Sequence, residues 1–202
     1  LLVIEDLGEA TWPPPWTATL AARAFDTLQV IASTTPPADL PSIGAIESML
    51  RGWHAIRKEP APFLALGMAD AGWLERNLPA LIRAEDSTNL HGDDLLHLDV
   101  RGDNMAFLPD RVVLVDWNWA SVGNVEVDMA FLANHIEVTG GPRPEDTVQL
   151  DPSWTSVVSG YFAQMAGLPD IPMAPTVRPA QRAALEYALP WAIRALDLEP
   201  LA

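Results

Sequence analysis

The hydrophobic and polar pattern is sharpest between residues 97 and 128, where polar clusters bracket short apolar runs. Arg111-Val112-Val113-Leu114-Val115 is too short for a helix and rich in β-branched residues, which predicts a buried strand. Leu108-Pro109-Asp110 before it is a turn signal. Asn104-Met105-Ala106-Phe107 then supplies the partner strand of a small hairpin. Leu95-Leu96-His97-Leu98 predicts a further strand running into the loop that precedes Asn104.

Elsewhere the apolar period is helical. Thr11-Trp12-Pro13-Pro14-Pro15-Trp16 excludes a helix, because proline lacks the N–H and restricts its predecessor. Thr17 is the expected N-cap of a helix running to about Ser33, with Leu20, Ala21, Ala24, Phe25, Leu28 and Ile31 on its buried face. Ser42 is the expected cap of a helix over 43–57, after a proline-rich loop and before the break at Lys58-Glu59-Pro60. A third helix is predicted over 73–85, with Pro79 kinking or splitting it. Further helices are expected over 127–138, with Asp128 as cap, over 153–166, and over 179–198 with a kink at Pro190. Trp117 and Trp119 are expected to pack in the core.

Composition narrows the class. The 202 residues suffice for one substantial domain, and 49 % hydrophobic content excludes global disorder. With no cysteine there is neither a disulfide framework nor a thiolate metal site. No apolar run approaches the ~20 residues of a membrane span, and no signal segment opens the chain, so a cytoplasmic location is expected. The net charge of −15, from 27 acidic and 12 basic residues, disfavours nucleic acid and anionic membranes. It weakly favours cationic ligands.

The hairpin has chemical consequences. In an antiparallel pair the start of one strand lies beside the end of the other. Asn104 and Asp116 are thereby expected at one edge, with Asp99 on a loop five residues before Asn104. Phosphoryl transfer needs an oriented hydroxyl and metal ions against phosphate charge, and magnesium takes hard oxygen donors with few protein ligands. The Asp116 carboxylate and the Asn104 amide carbonyl suit such a metal, and Asp99 suits the proton of an attacking hydroxyl. A rival is a two-metal hydrolase drawing on His91, Asp93, Asp94, His97 and Asp99, which would need ligands clustered about 4 Å apart. It leaves Asn104 and Asp116 without a role, and His54 and His135 sit in no ligand-like motif.

The spacing His97-x-Asp99-x-x-x-x-Asn104 resembles the catalytic loop of the protein-kinase-like fold. Val115-Asp116-Trp117 resembles the metal-binding segment of its aminoglycoside phosphotransferase and choline kinase branch, and Gly123…Asp128-Met129-Ala130 resembles that branch's next landmark. Leu98 departs from the branch, which more often has glycine there, and is expected to point away from the metal site.

The resemblance implies an α+β, mainly helical fold: a C-terminal lobe with a short catalytic-loop hairpin. Residues 1–8 would be the hinge or linker from a missing N-terminal lobe, with Leu1-Leu2-Val3-Ile4 its last strand. Residues 9–202 would be the helical lobe, with the catalytic loop at 97–104 and the metal-binding Asp116. It implies a small-molecule kinase moving the γ-phosphoryl group of ATP or GTP to a hydroxyl with Mg2+. Asp99 would be the catalytic base, Asn104 and Asp116 the metal ligands, His97 and Asp128 structural supports, and Arg101 a candidate phosphate contact. Glu5, Asp6 and Leu7 would bind the adenine edge through main-chain groups. The acceptor, a small and by charge cationic molecule, would lie between the loop and the helices after residue 140, facing Glu145, Asp146, Glu186 and Asp197. No glycine-rich phosphate loop is present and the sole lysine is Lys58, so the fragment alone is expected to be inactive or nearly so. The alternative is a non-catalytic binding module on the same fold.

Overall fold

Helix starts follow from side chains that satisfy free backbone N–H groups. Thr17 accepts from Leu20 N at 3.2 Å and Asp70 from Trp73 N at 2.6 Å, each opening a long helix. The computed structural model describes residues 5–201, so the strand expected at residues 1–4 lies outside the described residues. In chain order the helices are α1 (Ala18–Ala32), α2 (Glu47–Leu50), α3 (Gly52–Lys58), α4 (Ala61–Leu64), α5 (Ala71–Ser87), α6 (Glu126–Val138), α7 (Ser153–Ala166) and α8 (Val177–Ala195). The strands are β1 (Asp94–Leu96), β2 (Met105–Phe107), β3 (Val112–Leu114) and β4 (Ser121–Gly123). The fold is α+β and mainly helical. No helix among the described residues is long and apolar enough to cross a membrane.

The chain divides into two compact units. The first holds residues 5–40 and 92–148. In it α1 buries Ala21, Ala24, Phe25 and Leu28 and packs against β1, β3 and α6. The expected hairpin is β2–β3, antiparallel, with Met105 opposite Leu114 and Phe107 opposite Val112. Its turn is held from α1: Arg23 donates to Leu108 O and Arg111 O, and its guanidinium lies 5.6 Å from the Phe107 ring. A second pair, β1 with β4, sets Leu96 opposite Ser121. Ser121-Val122-Gly123 carries no run of strand formers; its pairing comes from the chain returning alongside β1, which local pattern does not record.

The second unit holds residues 41–91 and 149–201. Here α7 is the central helix, packing against α3, α5 and α8. Its small residues allow close approach: Ser156 donates to Leu81 O at 2.7 Å and Ser159 accepts from Trp53 Nε1 at 3.2 Å. A Cβ on Gly52 would collide with the carbonyl of Gly160, so α3 and α7 touch backbone to backbone. The core joins Trp53, Phe63, Trp73, Leu81, Leu185 and Leu189.

The helix expected over 43–57 is not continuous. Ser42 caps a 3-10 turn, Ile43–Ile46, by accepting from Gly44 N. Arg51, at φ −102° and ψ 53°, then separates α2 from α3. Neither Pro79 nor Pro190 splits its helix; burial of Leu81 and Ile82 beyond the first, and of Trp191 and Ala192 beyond the second, holds each together despite the lost N–H.

Candidate active site

His97, Asp99, Arg101, Asn104, Asp116 and Asp128 all lie in the first unit. After β1 the chain turns through His97 and Leu98, whose backbone N–H groups both donate to the Asp128 carboxylate, at 2.7 and 2.9 Å. Asp128 is 1 % exposed, and burial pushes its carboxyl up to about 6 against the two amide donors that favour the charged form. It is not the cap of its helix: α6 begins at Glu126, and Asp128 stands in the first turn with its side chain directed to the loop. Asp94 accepts from Val125 N at 3.0 Å just ahead of that turn.

Leu98 has φ 60°, the left-handed region that L side chains enter at a cost. That is a physical reason for glycine there, and it gives the Leu98 departure a conformational weight that side-chain direction alone does not.

His97 is fully buried, with Nε2 2.9 Å from Val115 O and Nδ1 3.2 Å from Asp99 N. One neutral tautomer serves both contacts: Nε2–H donates to the carbonyl and the Nδ1 lone pair accepts from the amide. Burial lowers its pKa, against the opposing pull of the Val115 carbonyl, Asp99 and Asp116. With both nitrogens engaged, the ring ties the loop to the end of β3 and is not placed to shuttle a proton. Trp117 meets it edge-on, ring centroids 4.6 Å apart, and donates to Leu114 O at 3.0 Å.

Asn104 closes a 3-10 turn, Gly102–Asn104, with its N–H donating to Arg101 O. Its side chain is nearly buried, and Nδ2 donates to Asp99 O at 2.9 Å and to Asp99 Oδ2 at 3.0 Å. Asn104 O accepts from Val115 N at 3.0 Å, extending the hairpin by one pair and placing Asp116 one residue past it. Asp116 is exposed at φ 63°, and Asn118 Nδ2 donates to its Oδ1. Among the described residues no direct hydrogen bond joins Asp116 to Asp99 or Asn104. Asp99 and Asn104 are brought together by their side chains, and Asp116 is brought alongside by the ladder.

Arg101 lies between carboxylates, Nε 3.0 Å from Asp99 Oδ1 and a terminal nitrogen 3.3 Å from Asp103 Oδ2. Glu5 pairs with Arg111, Asp6 accepts from Gly8 N at 2.9 Å, and Leu7 O accepts from Ala10 N at 3.0 Å. Glu5 is thus tied to the residue just before β3, while Asp6 and Leu7 contact the turn that follows them. Trp119 and Trp117, both expected in the core, are exposed, at 58 % and 37 %, with Trp117 touching His97 by its ring edge. Glu145 and Asp146 sit exposed on a 3-10 turn of the first unit, and Glu186 and Asp197 are exposed in the second.

Sequence reasoning passed over His135. Its Nε2 accepts from Gly102 N at 3.0 Å, so α6 holds the loop at a second point. The signal available was position: His135 follows Asp128 by seven residues, two helical turns on one face. Against the two-metal alternative, no group of three or more His, Asp or Glu side chains converges as a metal cluster among the described residues.

No protein-family model matches the chain, and no curated protein matches it. Among solved structures it is similar to choline kinase LicA from Streptococcus pneumoniae, with 16 % sequence identity and a TM-score of 0.49. The match covers 89 % of this chain and 64 % of that one, so the chain spans less than two thirds of that kinase's length.

Proposed function

We propose that the protein is a small-molecule kinase that transfers the γ-phosphoryl group of ATP or GTP to a substrate hydroxyl. The observation that carries this reading is the Asn104–Asp99 pair. By turning its Nδ2 onto the Asp99 carbonyl and carboxylate, Asn104 keeps its amide oxygen apart from Asp99. Asp99 in turn is fixed beside the loop by its own N–H on His97 and by Asn104 on Oδ2. A residue so held can orient an alcohol and take its proton as the phosphoryl group departs from the nucleotide.

The donor set fits magnesium: one amide carbonyl and one exposed carboxylate, both hard oxygen, with waters and phosphates left to complete the shell. Asn104 and Asp116 would hold it, and when bound it would neutralise charge on the phosphates. Arg101 at Asp99 Oδ1 is a candidate phosphate contact, because an arginine can exchange one oxyanion for another. Glu5, Asp6 and Leu7 would meet the nucleotide base. The net charge of −15 favours a cationic acceptor.

The test is nucleotide binding and phosphoryl transfer by the full-length protein across a panel of alcohols, with and without Mg2+. Asp99→Asn is expected to retain Mg2+-dependent nucleotide binding and lose transfer. Failure of the intact protein to bind nucleotide more tightly with Mg2+ than without, or to phosphorylate any acceptor, overturns the reading.

A further inference from the structure

The loop that carries Asp99 and Asn104 is bound by α6 at two places, and only one of them was foreseen. Asp128 takes the amides at its start. His135, two turns along the same helix, takes Gly102 N in the turn that delivers Asn104. Gly102 has little freedom on its other side: a Cβ there would lie 2.9 Å from Pro13 O, so the proline segment backs onto it. That segment is itself fixed, because Thr11 and Phe107 exchange hydrogen bonds, both 2.9 Å.

We infer that His135 is a positioning residue, which by accepting the Gly102 N–H sets the Gly102–Asn104 turn and so aims the Asn104 side chain at Asp99. The chain of contacts is short. His135 holds Gly102 N, Asn104 N closes on Arg101 O, and Asn104 Nδ2 reaches Asp99. To accept at Nε2 the imidazole must be neutral with its proton on Nδ1. Without that acceptor the buried Gly102 N–H loses its partner, and the turn relaxes to find another. Asn104 would then lose register with Asp99 while the Asp128 contacts persist. The consequence for metal binding rests on the kinase reading; the geometry of the turn does not.

The experiment uses the full-length protein with uniform nitrogen-isotope labelling, and reads amide hydrogen exchange at Asn104 Nδ2 and Gly102 N, with His97 N and Leu98 N as controls. His135→Leu removes the acceptor, and His135→Gln restores an oxygen near the position of Nε2. In His135→Leu, exchange at Gly102 N and Asn104 Nδ2 is expected to quicken about 5- to 10-fold, the worth of one neutral hydrogen bond, with the controls unchanged. His135→Gln is expected to return both toward the parent rates. Unchanged Asn104 exchange in His135→Leu overturns the inference, as does equal quickening at all four sites, which would mark a packing role only. Loss of Mg2+-dependent nucleotide binding in the unsubstituted protein, with the Asn104 response intact, removes the kinase reading and leaves the positioning role standing.

Discussion

The side-chain amide of Asn104 donates twice to Asp99, to its backbone carbonyl at 2.9 Å and to its carboxylate at 3.0 Å. One residue thereby fixes both the backbone and the side chain of the other. Asn104→Asp keeps an oxygen donor for a metal but loses both hydrogen bonds and sets two carboxylates together. It is expected to lower phosphoryl transfer about 10²-fold, the scale of a misplaced reacting group. Mg2+-dependent nucleotide binding should fall far less. Steady-state transfer kinetics beside nucleotide titrations will check the split.

Asp128→Asn is expected to be costly even though it keeps the size of the side chain. Two backbone N–H groups converge on two oxygens, and an amide offers only one acceptor. Leaving one buried donor unpaired costs about 1–3 kcal/mol. Chemical denaturation should register the loss, and exchange at His97 N and Leu98 N should quicken with it.

At residue 98 the usual order of alanine and glycine should reverse. With φ at 60°, any Cβ is strained and glycine is not. Leu98→Gly is expected to be more stable than Leu98→Ala by about 1 kcal/mol. Comparing these two variants removes the lost leucine packing from both sides of the difference. Equal stabilities, or a more stable alanine variant, would contradict it.

Glu85 should make stability fall as pH rises. It is fully buried between α3, α5 and α7, accepts from Trp53 N at 3.0 Å, and leaves Oε2 without a hydrogen-bond partner. Burial pushes its carboxyl from 4.5 up to about 8, against the Trp53 and His54 amides and Arg51, with Asp86 adding to the rise. The folded state therefore holds a proton that the unfolded state releases above about 4.5. The stabilisation is complete below that pH, declines as pH rises toward 8, and is level beyond. Glu85→Gln is expected to gain on the parent across this window, by on the order of 5 kcal/mol at its upper end. The buried histidines act in the opposite sense below 6.5, so the difference between variant and parent at each pH is the quantity to measure.

Much was legible in the chain because it depends on neighbours in sequence. Thr17 and the three-and-four spacing of Ala21, Ala24, Phe25 and Leu28 mark α1. The β-branched run after Leu108-Pro109-Asp110 marks the hairpin, and the hairpin alone requires Asn104 to stand near Asp116. The largely helical pattern follows from such local rules, whereas the fold class came from the resemblance carried by the spacing of His97, Asp99 and Asn104. The rest was decided by groups far apart in sequence. Ser121-Val122-Gly123 became a strand because β1 lay beside it, and the helix expected over 43–57 broke at Arg51 where Gly52 meets Gly160. Trp119 faces solvent, the left-handed turn at Leu98 is bound by Asp128, and His135 finds a backbone amide. A hydrogen bond from a glycine N–H to an imidazole nitrogen across 33 residues carries no periodicity and no motif. Only packing brings the two within reach, and only then does the need to satisfy a buried amide select the partner.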